Sequence, residues 1–322
     1  MALDAQAETW LKGLADSGLP PLNEMPVDQA RATYEAVVAD CGLKPEPVAD
    51  IVDKTIPGPA GDIPVRIYTP DGHGLFPIVV YFHGGGWVLG SLEVVHGPCT
   101  VIANRAHAVV VSVDYRLAPE HPFPAAVEDC YAATQWVADN AALLNGDVER
   151  IAVAGDSAGG TLAAVVALMA RDHGYPPLAY QLLIYPATDV RYDTGSYAAN
   201  GEDYFLTTDL MKWFHRHYLP SEDRAEDWRA SPLRAADLSG LAPAHVITAE
   251  FDVLRDEGEA YAARLQEAGV ETTVHRYEGQ IHAFTANLAG VIDNGRQSIE
   301  DGAHELRRAL RLGWQPRVWL SQ

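Results

Sequence analysis

Short apolar runs alternate with helical patterns along most of this chain. The runs are rich in valine, isoleucine and alanine, which is typical of strands buried on both faces of a sheet. Strands are predicted at residues 48–56, 63–68, 77–82, 108–113, 150–154, 178–185, 244–250 and 271–277. Helices are predicted between them, at residues 128–140, 161–170, 257–268 and 296–312. This alternation indicates an α/β fold with a mostly parallel sheet and helices on both faces.

Two stretches interrupt the alternation. Residues 2–16 and 28–41 place apolar side chains at helical spacing, with Asp28 as the expected N-cap of the second helix. Late in the chain, residues 204–219 form another helical pattern, expected to begin at Thr207 or Thr208. Because open α/β sheets bind ligands at the carboxyl ends of their strands, we expect these helices to form one cap there.

This pattern predicts a catalytic α/β domain interrupted by the cap. The cap is assigned residues 1–45 and 191–231, and the catalytic domain residues 46–190 and 232–322. A chain of 322 residues is long enough for one such domain with an insertion.

Composition narrows the classes of function. The formal net charge is −21 and no basic run occurs, so we expect neither a nucleic acid nor a membrane as partner. The three cysteines, Cys41, Cys99 and Cys130, match no zinc pattern and no disulfide framework, so no metal is predicted. The N-terminus lacks the basic and apolar regions of a signal peptide, which favours a cytoplasmic protein.

The chemistry is organised around Gly155-Asp-Ser-Ala-Gly-Gly160, which lies between a predicted strand and a predicted helix. A serine on a sharp strand-to-helix turn, with glycine two residues before and two after, is the nucleophile elbow of α/β-hydrolases. The glycines leave room where strand and helix nearly touch. Ser157 is therefore the candidate nucleophile.

A serine nucleophile needs a base and an acid that orients the base. Among the histidines, His282 follows the last predicted strand in a short loop and is the candidate base. Asp252 follows the strand 244–250 and is the preferred acid, with Asp256 and Glu250 as rivals. The order Ser157, Asp252, His282 is the chain order of α/β-hydrolases.

His83-Gly-Gly-Gly86 follows another predicted strand, as the HGGG motif of lipases and esterases does. Glycines allow backbone N–H groups to approach the oxygen of a tetrahedral intermediate. We predict an oxyanion hole made by the N–H groups of Gly84, Gly85 and Ala158. The alternatives are a flexible glycine turn or a phosphate-binding loop, and the latter lacks its motif.

Taken together, these motifs resemble those of the bacterial hormone-sensitive-lipase-like (family IV) esterases. The resemblance also includes Asp114–Ala126 and Glu250–Gly258, with Val253 where the family usually has proline. It implies an eight-stranded, mostly parallel α/β-hydrolase sheet with a helical cap, and ester hydrolysis without a cofactor. It also implies structural roles for Arg116, Pro119 and Pro124, with cis bonds before both prolines, and a homodimer as a hypothesis.

The pocket is expected to be formed by side chains near these motifs or in the cap. The candidates, for which core packing is an equally good interpretation, are Trp87, Tyr185, Tyr204, Trp213, Ile281 and Phe284. The tail after Gly313 matches no motif of the family.

We therefore predict a serine carboxylesterase that hydrolyses short- to medium-chain esters of small molecules through an acyl-enzyme. An amidase or arylformamidase with the same triad is the alternative within enzymes. A ligand receptor built on an inactive esterase scaffold is the alternative from another class. A triglyceride lipase is less favoured than an esterase, although a cap alone does not exclude it.

Overall fold

The predicted strands form one sheet in this computed structural model, which describes residues 2–311. Its strands are β1 Asp50–Gly58, β2 Gly61–Thr69, β3 Phe76–Phe82, β4 Val109–Val113, β5 Gly146–Asp156, β6 Tyr180–Ile184, β7 Ala244–Phe251 and β8 Thr272–Ile281. Within the described residues the sheet has eight strands in the order β1-β2-β4-β3-β5-β6-β7-β8. Only β2 pairs in an antiparallel way, with β1 and β4, which confirms the predicted mostly parallel sheet.

Helices lie before the sheet in sequence, between its strands and after β8. They are α1 Ala5–Asp16, α2 Val27–Cys41, α3 His96–Ala106, α4 Ala125–Asp139, α5 Ala158–His173, α6 Gly195–Asn200, α7 Thr208–Tyr218, α8 Arg255–Glu267 and α9 Asp293–Ala309. Thr207 caps α7 by accepting a hydrogen bond from the N–H of Leu210, as predicted. The predicted cap Asp28 is wrong, because α2 already begins at Val27 after Pro26 and Asp28 lies in its first turn. A carboxylate there still complements the helix dipole.

The central strands are apolar because both of their faces are covered. Every residue of β3 is buried, and α5 is buried along nearly its whole length. A fully buried valine, leucine or isoleucine side chain stabilises the fold by roughly 1.5–3 kcal/mol relative to an exposed one. This core holds the strand ends, where the candidate chemistry lies, in fixed relative positions.

Several elements are longer than their apolar patterns suggested. β5 begins at Gly146, which pairs with Phe76, and β8 continues to Ile281, which pairs with Phe251. Backbone pairing continues through polar positions, so hydropathy alone underestimates strand length. The short helix α6 was not predicted. The predicted helix end at Leu312 and the tail after Gly313 lie outside the described residues.

The two helical stretches assigned to the cap touch each other. The ring of Trp10 on α1 packs edge-on against Phe205, just before α7, with centroids 5.2 Å apart. The division into cap and catalytic domain remains a prediction, but this contact joins its two proposed cap segments. Among the helices between residues 2 and 311, none is both long and apolar enough for a membrane crossing.

Candidate active site

Ser157 lies on a tight turn between β5 and α5. Its backbone is left-handed, with φ 55° and ψ −121°, and its N–H donates to the carbonyl of Ile184 at 2.8 Å. Left-handed backbone costs energy for a residue other than glycine and persists only when the surroundings enforce it. Here a Cβ on Gly155 would lie 2.3 Å from the carbonyl oxygen of Gly159, so the close approach requires glycine. The turn presents the Ser157 side chain at the carboxyl edge of the sheet.

Three of the predicted side chains meet at this edge. His282 Nε2 lies 2.9 Å from Ser157 Oγ, and His282 Nδ1 lies 2.6 Å from Asp252 Oδ2. Asp252 directly follows β7 and His282 directly follows β8, while Ser157 follows β5. Because these strands are parallel, their ends place a hydroxyl, an imidazole and a carboxylate in one hydrogen-bonded line.

Asp252 makes two hydrogen bonds besides the one to His282. The carboxylate is buried, and its Oδ1 accepts the N–H of Leu254 at 2.9 Å. The side-chain amide of Asn200, in the unpredicted helix α6, donates to the Asp252 carbonyl at 3.2 Å. These contacts orient the carboxylate toward the imidazole.

The rival acids have other partners. Asp256 accepts hydrogen bonds from the N–H of Ser196 and from Arg255, and Glu250 accepts the N–H of Gly279 at 2.7 Å. Among the described hydrogen bonds, neither carboxylate reaches His282.

Other histidines are occupied elsewhere. His83 Nδ1 lies 2.7 Å from the carbonyl of Gly84, and His215 Nδ1 lies 2.6 Å from the hydroxyl of Tyr192. Burial lowers the pKa of His83 to about 4 and that of His215 to about 3, so both are neutral near pH 7. His245 bonds to Thr273 within the sheet. His282 is thus the histidine that the fold brings to Ser157.

The glycine loop after β3, residues 83–90, lies beside Ser157 and is called the oxyanion loop below. The N–H of Gly84 donates to Asp156 Oδ1 at 3.1 Å, so it is already engaged. Gly85 and Gly86 instead line the cavity next to Ser157, with φ of 116° and 61°. Among the hydrogen bonds within residues 2–311, none uses the N–H of Gly85, Gly86 or Ala158. This geometry disagrees with the expected donor Gly84 and points to Gly86 in its place.

Asp156 is the buried carboxylate behind this loop. Its Oδ1 also accepts the hydroxyl of Tyr81 at 3.0 Å, so one oxygen joins β3, β5 and the oxyanion loop. Burial raises the pKa of Asp156 to about 6, against the lowering effect of these two donors. Asp156 directly precedes Ser157 in the chain, but the motif around Ser157 predicts no role for it.

Two adjoining cavities lie over the carboxyl edge. The inner cavity, about 30 Å³, borders Ser157, His282 and the oxyanion loop. The outer cavity, about 300 Å³, lies among α1, α2 and the segment before α7. Four side chains border both cavities, namely Leu22, Tyr34, Phe205 and Leu210. The site is therefore a narrow reaction centre that opens toward a larger apolar space.

Among the six predicted pocket residues, only Tyr204 lines either of these cavities. Trp87 stacks on Tyr218 at 4.4 Å, and Trp213 packs against His217 at 4.6 Å. Ile281 is buried at the end of β8.

The remaining two candidates lie behind His282. The Tyr185 ring packs against the His282 ring at 4.6 Å, and its hydroxyl accepts the N–H of Ala286. Phe284 packs against Tyr185 in turn. These two candidates, chosen because they are close to the motifs in sequence, therefore pack behind His282 and do not line the cavities. The lining of the inner cavity comes largely from elsewhere, including Leu22, Tyr34, Leu206, Phe214 and Asn287.

The segment beneath the oxyanion loop matches its predicted structural role. The bonds Ala118–Pro119 and Phe123–Pro124 are both cis, which confirms the prediction. The Arg116 guanidinium donates two hydrogen bonds of 2.8 Å to the buried Asp129 carboxylate. Arg116 thus anchors this segment to α4.

Comparisons with known proteins agree with this geometry. The family described as alpha/beta hydrolase fold matches residues 79–286. The carboxylic ester hydrolase LipN of Mycobacterium tuberculosis is 46% identical over 292 residues, covering 88% of this chain and 76% of LipN. The carboxylesterase NlhH of the same organism is 43% identical, covering 88% of this chain and 90% of NlhH.

A solved structure extends the similarity to the whole fold. The hyperthermophilic esterase from the archaeon Pyrobaculum calidifontis superimposes with a TM-score of 0.91 at 46% identity. The match covers 96% of this chain and 99% of that chain.

Proposed function

This chain belongs to the α/β-hydrolase family and is a hormone-sensitive-lipase-like carboxylic ester hydrolase, and on that premise we propose that Ser157, Asp252 and His282 are its catalytic triad. The observation that carries the proposal is the pair of hydrogen bonds that join His282 to Ser157 at 2.9 Å and to Asp252 at 2.6 Å. A nucleophile, a base and an orienting acid within hydrogen-bond reach are what acyl transfer by serine requires.

The reaction proceeds in two half-reactions. His282 Nε2 takes the proton of Ser157 Oγ as that oxygen attacks the ester carbonyl carbon. The same proton then passes from Nε2 to the leaving alkoxide oxygen, which gives the free alcohol and the acyl-enzyme. In the second half-reaction His282 Nε2 takes a proton from water as the water oxygen attacks the acyl carbon. The proton then passes from Nε2 to Ser157 Oγ as the bond between Oγ and the acyl carbon breaks, which releases the carboxylic acid. Asp252 holds Nδ1–H and stabilises the imidazolium that forms in each step.

The negative oxygen of the tetrahedral intermediate is bound by the N–H groups of Gly85, Gly86 and Ala158. Gly85 and Gly86 border the inner cavity, and Ala158 begins α5, whose N-terminus favours negative charge. In other serine hydrolases, removal of one oxyanion-hole donor costs about 2.7–4 kcal/mol of transition-state stabilisation.

The preferred substrates are esters with short to medium acyl chains. The inner cavity of about 30 Å³ accepts only a small group beside Ser157. The outer cavity of about 300 Å³ is larger than the roughly 150 Å³ that holds a benzene molecule in an engineered protein cavity. A longer apolar chain fits when it passes Phe205 and Leu210, which border both spaces.

A series of p-nitrophenyl esters from acetate to dodecanoate tests this function with wild type and Ser157→Ala. We expect wild-type hydrolysis to decline at long chains and Ser157→Ala to lose about 10³–10⁶-fold in kcat, as nucleophile deletions do. Ser239→Ala, at an exposed serine, is the matched control and keeps wild-type activity. Near wild-type hydrolysis by Ser157→Ala overturns the triad.

Two further measurements separate the alternatives. A phenyl ester compared with its anilide and N-formyl analogues distinguishes an esterase from an amidase or arylformamidase. A fluorophosphonate that labels Ser157 argues against a non-catalytic receptor. The cytoplasmic location and the homodimer remain predictions from the sequence.

A further inference from the structure

One cap side chain, Arg31 on α2, reaches into the catalytic domain with its whole guanidinium group. Its Nε donates to the carbonyl of Val88 at 2.9 Å, and its Nη2 donates to the carbonyl of Ala118 at 3.0 Å. Both terminal nitrogens also bond to the Glu120 carboxylate, at 2.8 and 2.7 Å. Val88 belongs to the oxyanion loop, so a cap residue directly holds this loop.

The oxyanion loop needs such support because its backbone is unusual. Gly85, Gly86 and Trp87 are consecutive left-handed residues, with φ of 116°, 61° and 60°. Trp87 carries a large side chain, for which this region is unfavourable. Inside the loop the carbonyl of Gly85 accepts the N–H of Leu89 at 2.8 Å, whereas the carbonyl groups of Trp87 and Val88 bond to residues outside the loop.

Those contacts form a closed arrangement around Arg31. The carbonyl of Trp87 accepts the N–H of Ala118 at 2.9 Å, and the carbonyl of Ala118 accepts Arg31. The next carbonyl of the loop, that of Val88, accepts Arg31 as well. One planar, permanently charged group thus fixes the oxyanion loop against the segment of cis prolines beneath it.

The same helix also borders the substrate space. Tyr34, one turn after Arg31, lines both cavities and accepts a hydrogen bond from Asn287 at 2.8 Å. α2 therefore contacts the space for substrate through Tyr34 and the oxyanion loop through Arg31.

We propose that Arg31 is a positioning residue that joins α2 of the cap to the oxyanion loop and holds the N–H groups of Gly85 and Gly86 in place for the transition state. Its hydrogen bonds to the carbonyl groups of Val88 and Ala118 are called the latch below. The proposal rests on the proposed function, because it assumes that this loop binds the oxyanion. The N–H groups bond most strongly to the negative oxygen of the intermediate, and misplacement by about 1 Å can lower a rate by about 10²-fold. Loss of the latch therefore lowers kcat more than it raises KM.

Arg31→Met tests the latch, and Arg105→Met is the matched control. Arg105 is also partly buried and binds two carboxylates, Glu46 at 2.9 Å and Glu300 at 3.2 Å, but it lies on α3. The readouts are kcat, KM, the melting temperature and the inhibition constant of an alkyl trifluoromethyl ketone. Ser157 Oγ adds to the carbonyl carbon of that ketone while His282 Nε2 takes the serine proton, and the former carbonyl oxygen becomes a negative hemiketal oxygen in the oxyanion hole.

We expect Arg31→Met to lower kcat by about 10–100-fold, with KM changed less than about threefold and the inhibition constant raised in parallel with kcat. Arg105→Met lowers the melting temperature but leaves kcat and the inhibition constant within about twofold of wild type, because it does not touch the loop. Equal kcat and inhibition constants for the two variants overturn the proposal. So does a fall in kcat without weaker binding of the ketone.

Two milder variants keep the test decisive if Arg31→Met does not fold. Glu120→Gln leaves both carbonyl contacts of Arg31 in place, so kcat stays within about threefold of wild type. Arg31→Lys reaches one carbonyl at a time and loses about 3–10-fold in kcat. A wild-type kcat and inhibition constant in Arg31→Lys contradict the latch. If Ser157→Ala is inactive while Arg31→Met equals wild type, only the latch fails and the esterase mechanism stands.

Discussion

The carboxyl edge of the sheet and the cap above it are built in different ways. At the edge, the candidate triad follows β5, β7 and β8, three parallel strands of one sheet, and backbone contacts leave almost no space. A Cβ on Gly159 would lie 2.0 Å from the carbonyl oxygen of Phe82, so α5 must pack directly against β3. In the cap, side chains from distant segments border a cavity of about 300 Å³.

This difference assigns different tasks to the two regions. Side chains at the carboxyl edge are positioned by paired strands of one sheet, and the chemistry of every ester requires such fixed positions. The cavity of the cap is bounded mostly by apolar side chains, and we expect their size to decide which acyl chain fits. Substitutions at the edge should lower the rate for all esters, whereas substitutions in the cap should change the ranking of esters.

Asp252→Asn makes the largest expected change at the carboxyl edge, besides loss of the nucleophile itself. An amide cannot hold the imidazole in its productive tautomer, so kcat should fall by about 10³–10⁴-fold for every acyl length. The measurement is the p-nitrophenyl ester series on the purified variant.

Asp256→Asn is the matched control, because Asp256 is the rival acid and bonds to Ser196 and Arg255. It should lose less than about tenfold in kcat, since it makes no hydrogen bond to His282. A larger loss in Asp256→Asn than in Asp252→Asn would reverse the assignment of the acid.

Phe205→Ala tests the cap with a smaller, selective effect. Removal of this ring joins the inner and outer cavities, so kcat/KM for octanoate relative to acetate should rise by about 10-fold. This is within the 10–200-fold that one methylene contact is worth in an apolar pocket. The acetate rate itself should change little.

Leu143→Ala, at a leucine with 76% exposure outside the cap, is the control and should leave the ratio unchanged. An unchanged ratio in Phe205→Ala, with a folded protein, would show that acyl length is not selected at this wall.

Asp156→Asn has the smallest expected effect, and it concerns stability. The folded pKa of Asp156, raised by burial to about 6, lies above its ordinary value of 3.8, so folding favours the protonated form. Its contribution to stability is therefore fully present below pH 3.8 and is lost as pH rises through about 6. Asparagine carries no charge and still accepts hydrogen bonds through Oδ1.

The melting temperature of Asp156→Asn relative to wild type should thus rise by a few degrees, about 2–6 °C, between pH 4 and pH 8. Asp62→Asn, at an exposed aspartate of β2, is the control. A difference from wild type that is constant over this range would mean that Asp156 does not titrate there.

Much of the candidate site could be predicted from the sequence because its motifs are local. Gly155, Ser157 and Gly159 are dictated by one turn, and Asp252 and His282 each follow a recognisable strand. The N–H donors of the oxyanion hole were harder to predict from the sequence. The N–H of Gly84 bonds to Asp156, which lies 72 residues away in the chain. Likewise, Trp87 lies next to a motif and Trp213 in the predicted cap helix, yet both pack in the interior instead of lining either cavity.

The sequence by itself determined the α/β class, the sheet and the candidate chemistry, because hydrophobic period and turn geometry act over a few residues. Only the tertiary structure decided that the N–H of Gly84 bonds to Asp156, which side chains border the cavities and that Arg31 reaches Val88. Those contacts join segments far apart in the chain, and their choice depends on packing that no local pattern encodes.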